Sequence, residues 1–106
     1  MNPLKVLLVD DSKSARYALR LQLQQHSVTV ETADAAESAL DRIRESPPDV
    51  IFMDHTMPGM SGFEALDILK SSPVTAHIPV VMCTSHEDPE FIAQAKKKGA
   101  LEAMPG

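Results

Sequence analysis

Short apolar segments and longer amphipathic segments alternate along the whole chain, and that alternation limits the fold more than any other feature. The apolar segments are residues 4–9 (LKVLLV), 28–32 (VTVET), 50–53 (VIFM), 79–83 (PVVMC) and 100–104 (ALEAM). Three of them are nearly continuous runs of large aliphatic residues, the pattern of strands buried on both faces of a parallel sheet. VTVET is shorter and alternates, which suits an edge strand. ALEAM is the weakest strand, since its composition also favours a helix.

The intervening segments carry apolar residues at helical spacing. Over 12–25 these are Ala15, Leu19 and Leu23; over 35–45, Ala36, Leu40 and Ile43; over 62–70, Phe63, Leu66 and Leu69. Asp34 with Glu37, and Ser61 with Glu64, have the spacing of a capping box. The segment 89–98 opens with Asp88 as N-cap and Pro89 as first residue. It ends in Lys96, Lys97 and Lys98, with Gly99 just beyond. Each of these features matches the electrostatics and stereochemistry of a helix end.

The order βαβαβαβαβ predicts an α/β fold with a parallel sheet and right-handed crossovers. A chain of 106 residues without repeats or a linker is expected to form one domain, 1–106, with a core that needs no disulfide. Cys83 is the single cysteine, and is expected to be a small core residue. The apolar runs are too short to span a membrane. The N-terminus lacks the features of a signal peptide, so a soluble cytoplasmic protein is expected. Net charge is −5, and the only lysine run is 96–98, which argues against nucleic-acid binding by this domain.

In an open parallel sheet, ligands bind beyond the carboxyl ends of the strands, where strand order reverses. The first predicted strand runs into Asp10 and Asp11, the third into Asp54, and the fourth into Thr84. Taken singly, paired acids after a strand are often a helix cap, with Asp11 a candidate for the helix at 12–25, and a lone aspartate is usually a solvated loop residue. Together they place three carboxylates and a hydroxyl on one rim. Clustered carboxylates repel, and a hard divalent cation such as Mg²⁺, which takes carboxylate, water and phosphate oxygens, is the economical counterweight. A carboxylate beside that cation can act as a nucleophile on phosphorus, giving an aspartyl phosphate.

The motifs LLVDDS at 7–12, MDHTMPGMSGFE at 53–64, IPVVMCTS at 78–85 and KKGA at 97–100 resemble the receiver domain of bacterial two-component response regulators, of the chemotaxis-regulator type. The resemblance runs from about Leu4 to the end of the chain. It implies a flavodoxin-like, doubly wound, five-stranded parallel sheet of order 2-1-3-4-5, an order for which the chemotaxis regulator is itself a reference example. It implies Asp54 as phosphoacceptor from a histidine kinase or small phosphodonor. Asp10, Asp11, Asp54 and the backbone carbonyl of Thr56 would hold Mg²⁺, and Thr84 would be the switch hydroxyl on the phosphoryl oxygen. Thr56 and His86 occupy the positions that flank the phosphoryl group. His86, His55, His26 and His77 are expected to be solvent-exposed loop residues rather than catalysts. Pro58 and Gly59 would turn the chain away from the acceptor, and Gly62 would start the next helix without a side chain near the turn.

The sequence departs from the family pattern in three places. The lysine that pairs with the phosphoryl group would fall at Gly106, where there is none; no fifth helix follows the last strand; and Ala103 replaces a frequent aromatic switch residue. A missing helix would leave apolar sheet surface uncovered, at roughly 25 cal/mol per Å². That implies marginal stability or self-association through the uncovered face. Tyr17 and Leu21, at i, i+4 on the first helix, read either as peripheral packing or as part of a docking face for a kinase or phosphotransfer protein.

The leading expectation is therefore a non-enzymatic signalling module that changes affinity for a downstream protein when phosphorylated. The alternative is a degenerate or fragmentary receiver acting by protein–protein contact alone. An aspartate-based phosphatase would need a DxD nucleophile motif, and a flavin protein a Ser/Thr-rich phosphate loop. Neither follows the first strand, and no Walker loop, GxGxxG or nucleophile elbow occurs.

Overall fold

The computed structural model of the chain describes residues 4–55, 57–84 and 89–105, with the backbone alone at Thr84 and 102–105. Its elements run β1 (Leu4–Val9), α1 (Lys13–Gln24), β2 (Val28–Ala33), α2 (Ala36–Glu45), β3 (Val50–Asp54), α3 (Gly62–Ser71), β4 (Val80–Thr84), α4 (Pro89–Lys97) and β5 (Glu102–Pro105). The strands form one five-stranded sheet in the order β2-β1-β3-β4-β5, and every pairing is parallel. The predicted order and fold class hold.

The order fixes where the helices lie. The step from β1 to β2 runs one way across the sheet, and every later step runs the other way. Right-handed crossovers therefore put α1 on one face and α2, α3 and α4 on the other. The reversal falls between β1 and β3, so the carboxyl ends of those two strands flank the switch point.

The main core lies under α2, α3 and α4. Leu7, Val9, Ile51, Met53, Val80 and Met82 point to it from the sheet, and Ala39, Ile43, Leu66, Leu69 and Ala95 meet them from the helices. On the α1 face Val6, Leu8 and Val81 are buried. Val50 and Phe52 of β3 are only half-buried, so this strand alternates instead of being covered on both faces as its apolar run predicts. The helix opposite them, α1, has no fully buried residue. Ala15, Leu19 and Leu23 are half-buried, while Tyr17 and Leu21 are 65% and 47% exposed, so that pair stands outside the core.

Helix ends follow the sequence in part. The Ser61–Glu64 capping box forms, with Glu64 N–H donating to Ser61 Oγ at 3.2 Å and Ser61 N–H donating to Glu64 Oε1 at 3.3 Å. The expected Asp34–Glu37 box does not. Ala35 is the N-cap of α2, one residue later, so Asp34 lies outside the helix, where it accepts from the Ser38 hydroxyl at 3.4 Å. Ser12, not Asp11, caps α1 by accepting from Ala15 N–H. Asp88, expected to cap α4, lies outside the described residues.

At the other end of α4, Gly99 takes φ +105°, its N–H donates to the Lys96 carbonyl and the Ala100 N–H to the Ala95 carbonyl. That is the paired hydrogen bonding of a Schellman ending. It uses Ala100 to finish the helix, so β5 begins at Glu102 and not at residue 100 as predicted. Within β5, Ala103 is in register with Met82. Gly106, where the family lysine would fall, lies outside the described residues.

Candidate phosphoacceptor site

Asp10 follows β1 directly, and its N–H continues the ladder to the Ala33 carbonyl at 3.1 Å. Its side chain is fixed by the turn into α1, where Asp10 Oδ1 accepts from Ser12 N–H at 2.8 Å. One helical turn on, Arg16 Nη1 donates to the Asp10 carbonyl at 2.6 Å. Arg16 thus ties α1 to the end of β1. Nothing in the sequence spacing singles it out. Asp11 is exposed and Asp54, the last residue of β3, is half-buried.

Asp10, Asp11 and Asp54 each present a carboxylate oxygen within 4.8 Å of the other two. Like charges about 5 Å apart repel by roughly 1–3.5 kcal/mol per pair, for effective dielectrics between bulk water and a protein surface. All-oxygen donors at that spacing fit a hard cation such as Mg²⁺ and do not suit a soft one. Three acids from two strand ends meet at the sheet's switch point, as the sequence predicts.

The turn after Asp54 is shaped by two glycines. Gly59 has φ +79°, a left-handed conformation that other residues adopt at a cost. Gly62 donates its N–H to the His55 carbonyl at 3.0 Å, closing the loop onto the end of β3. The expectation that the helix must start without a side chain there holds.

Thr84 ends β4, with the adjacent Cys83 in register with Asp54. The Thr84 side chain, all of Thr56 and His86 lie outside the described residues. Cys83 differs from its expected role as a plain core residue. It is half-buried, and its thiol is pushed up to about 11, first by burial and then by the negative charges of Asp54 and Asp10. It therefore stands against the acid cluster as a protonated, weakly reactive thiol at neutral pH.

His55 also differs from expectation. It is not a solvent-exposed loop residue: its half-buried ring packs against Phe63 and Phe91. His26 and His77 are exposed, as expected. The His55 contacts are long-range, so no short motif announces them.

The family model described as the response regulator receiver domain matches residues 6–105. The chain belongs to that family. Among its relatives, Protein PilH of Pseudomonas aeruginosa is 33% identical over 100 residues, covering 94% of this chain and 83% of PilH. The chemotaxis protein CheY of Halobacterium salinarum is 38% identical over 96 residues, covering 91% and 78%. The solved structure of chemotaxis response regulator CheY4 of Vibrio cholerae superposes with a TM-score of 0.91 at 34% identity, over 97% of this chain and 86% of that one. The receiver domain is thus a two-component signalling module. No helix among the described residues is long and apolar enough to cross a membrane.

Proposed function

We propose that this single receiver domain, spanning 1–106, accepts a phosphoryl group on Asp54 and thereby changes its affinity for a downstream protein. The observation that carries this reading is the convergence of Asp10, Asp11 and Asp54 within 4.8 Å at the carboxyl end of the sheet. A receiver acting by contact alone has no use for three mutually repelling acids held so close.

A carboxylate oxygen of Asp54 attacks the phosphorus of a phosphohistidine on a kinase or phosphotransfer protein, or of a small acyl phosphate. The new P–O bond forms as the P–N or P–O bond to the donor breaks, and the leaving group departs with the bonding pair. Mg²⁺, when bound, supplies charge neutralisation for the incoming phosphoryl oxygens. Asp10 and Asp11, with Asp54 and the Thr56 carbonyl, are its proposed ligands. Ser12 N–H and Arg16 hold Asp10 in place, and the Thr84 hydroxyl is the proposed partner of the phosphoryl oxygen. The domain catalyses its own phosphotransfer and dephosphorylation.

Exposed Tyr17 on α1 lines a groove of about 580 Å³ with Lys13, Arg16, Arg20 and Thr32, and Arg16 in turn donates to the Asp10 carbonyl. That placement supports α1 as the docking side for the phosphodonor protein. The exposure of Leu4 and Leu21, each about half, supports self-association through the same side as a second contact. The site of action is the cytoplasm, and neither nucleic acid nor membrane is a direct partner.

The test is to treat the chain with Mg²⁺ and acetyl phosphate, reduce with borohydride and map the peptides. An aspartyl phosphate is reduced to homoserine. Homoserine at position 54 supports the reading; homoserine at another aspartate, or at none in the folded chain, overturns it.

A further inference from the structure

Three rings, one just past the end of β3 and one each from α3 and α4, meet beside the acid cluster. His55, the residue after Asp54, lies 4.5 Å from Phe91, centroid to centroid, at an interplanar angle of 67°. It lies 4.6 Å from Phe63 at 51°, and Phe63 and Phe91 stack at 5.0 Å. Phe63 belongs to the first turn of α3 and Phe91 to the first turn of α4. These separations and angles are the favoured ones for aromatic pairs, so the node has a preferred arrangement and is not merely a greasy contact.

The His55 backbone is held on both sides. Its N–H donates to the Cys83 carbonyl at 3.0 Å and its carbonyl accepts from Gly62 N–H at 3.0 Å. The ring therefore follows any displacement of the β3 end. Phe91 is only 8% exposed, and Lys98 reaches over Phe63 at 5.7 Å while pairing with Asp67 at 3.2 Å. Dense packing of this kind passes a small displacement on instead of absorbing it.

We infer that His55 is a positioning residue that couples the state of the acid cluster to the placement of α4, through its ring contacts with Phe63 and Phe91. This rests on the proposed role of Asp10, Asp11 and Asp54 as the cation and phosphoryl site. It adds a mechanical route from that site to a helix surface on which none of the three acids lies.

The experiment is a Mg²⁺ titration of the ¹⁵N-labelled chain followed by amide spectra. Amides at positions 10, 11 and 54 report the cation, and those at 91–97 report α4. The same titration is run on His55→Ala, His55→Phe and Phe91→Leu. Phe91→Leu keeps an apolar side chain in the node while removing one ring, and well-dispersed spectra confirm that each variant is folded. In the parent, α4 amides should shift together with the site amides. In His55→Ala and Phe91→Leu the site amides should still respond, while the α4 shifts fall by about threefold or more. His55→Phe should restore them. An undiminished α4 response in folded His55→Ala or Phe91→Leu overturns the coupling and leaves the cation site standing. A parent whose site amides ignore Mg²⁺ overturns the cation site, and the coupling with it.

Discussion

Gly62 lies directly against the backbone of Asp54. A Cβ at Gly62 would overlap the Asp54 carbonyl oxygen and come within 2.8 Å of Met82 Cε. The first residue of α3 is thus packed onto the strand end that carries the proposed phosphoacceptor, and the obstacle is backbone, which cannot rotate away. Gly62→Ala should cost roughly 1–3 kcal/mol in urea unfolding, as overpacking does, and should shift the amide resonances of residues 54 and 55. An unchanged midpoint would mean that the loop has slack that the packing does not indicate.

Gly99 combines a left-handed φ of +105° with a close neighbour, since a Cβ there would stand 3.0 Å from Lys70 Cγ. The Lys70 ammonium is fixed in turn, donating to the carbonyls of Ala76 at 3.0 Å and Ile78 at 2.8 Å. Gly99→Ala should destabilise by about 1–2 kcal/mol from the backbone conformation alone. Removing the side chain in a Gly99→Ala, Lys70→Ala pair should recover none of that backbone part, so thermal unfolding of the double variant stays below that of Lys70→Ala.

Cys83 sets a pH dependence. The folded thiol is raised from 9.0 to about 11 by burial and by Asp54 and Asp10. Between those values the folded chain keeps a proton that the unfolded chain has lost, so folding stability falls as pH rises through that window. Below pH 9 both states are protonated and the effect vanishes. Unfolding curves for the parent and Cys83→Ala should therefore run parallel up to about pH 9 and then converge or cross, the parent losing stability faster.

Removing a charge from the acid cluster should have opposite effects with and without cation. Without divalent ions, Asp11→Asn relieves repulsion and should raise stability by about 1 kcal/mol or somewhat more. With Mg²⁺ in excess, the parent gains RT ln(1 + [Mg²⁺]/Kd) and the variant gains less, so the order reverses. Chelation of the metal should restore the first order. Melting temperatures in the presence of chelator and of Mg²⁺ read both.

The parts of this architecture that were legible beforehand are those written locally. Apolar runs of strand length, Ser61 with Glu64, and Gly99 after a lysine-rich turn each encode their element within a few residues. The acid cluster was legible because parallel topology sends every strand's carboxyl end to one rim, so Asp10, Asp11 and Asp54 meet although they are far apart in sequence. What could not be read depends on distant partners. The Asp34 box fails by one residue because Ala35 takes the cap. β5 starts late because Ala100 completes the Schellman ending of α4. The burial of His55 depends on Phe63 and Phe91, and the hold on Asp10 depends on Arg16. No short-range pattern distinguishes these residues from ordinary surface ones.

Phosphorylation of Asp54 is the claim on which the rest depends, and intact mass tests it most directly. The parent and Asp54→Asn are each incubated with Mg²⁺ and a small phosphodonor, with amide spectra confirming that both are folded. The expected result is the gain of one phosphoryl mass in the parent, lost when chelator replaces Mg²⁺, and none in Asp54→Asn. A parent that stays at its starting mass, or a variant that gains the same mass, would contradict Asp54 as the acceptor.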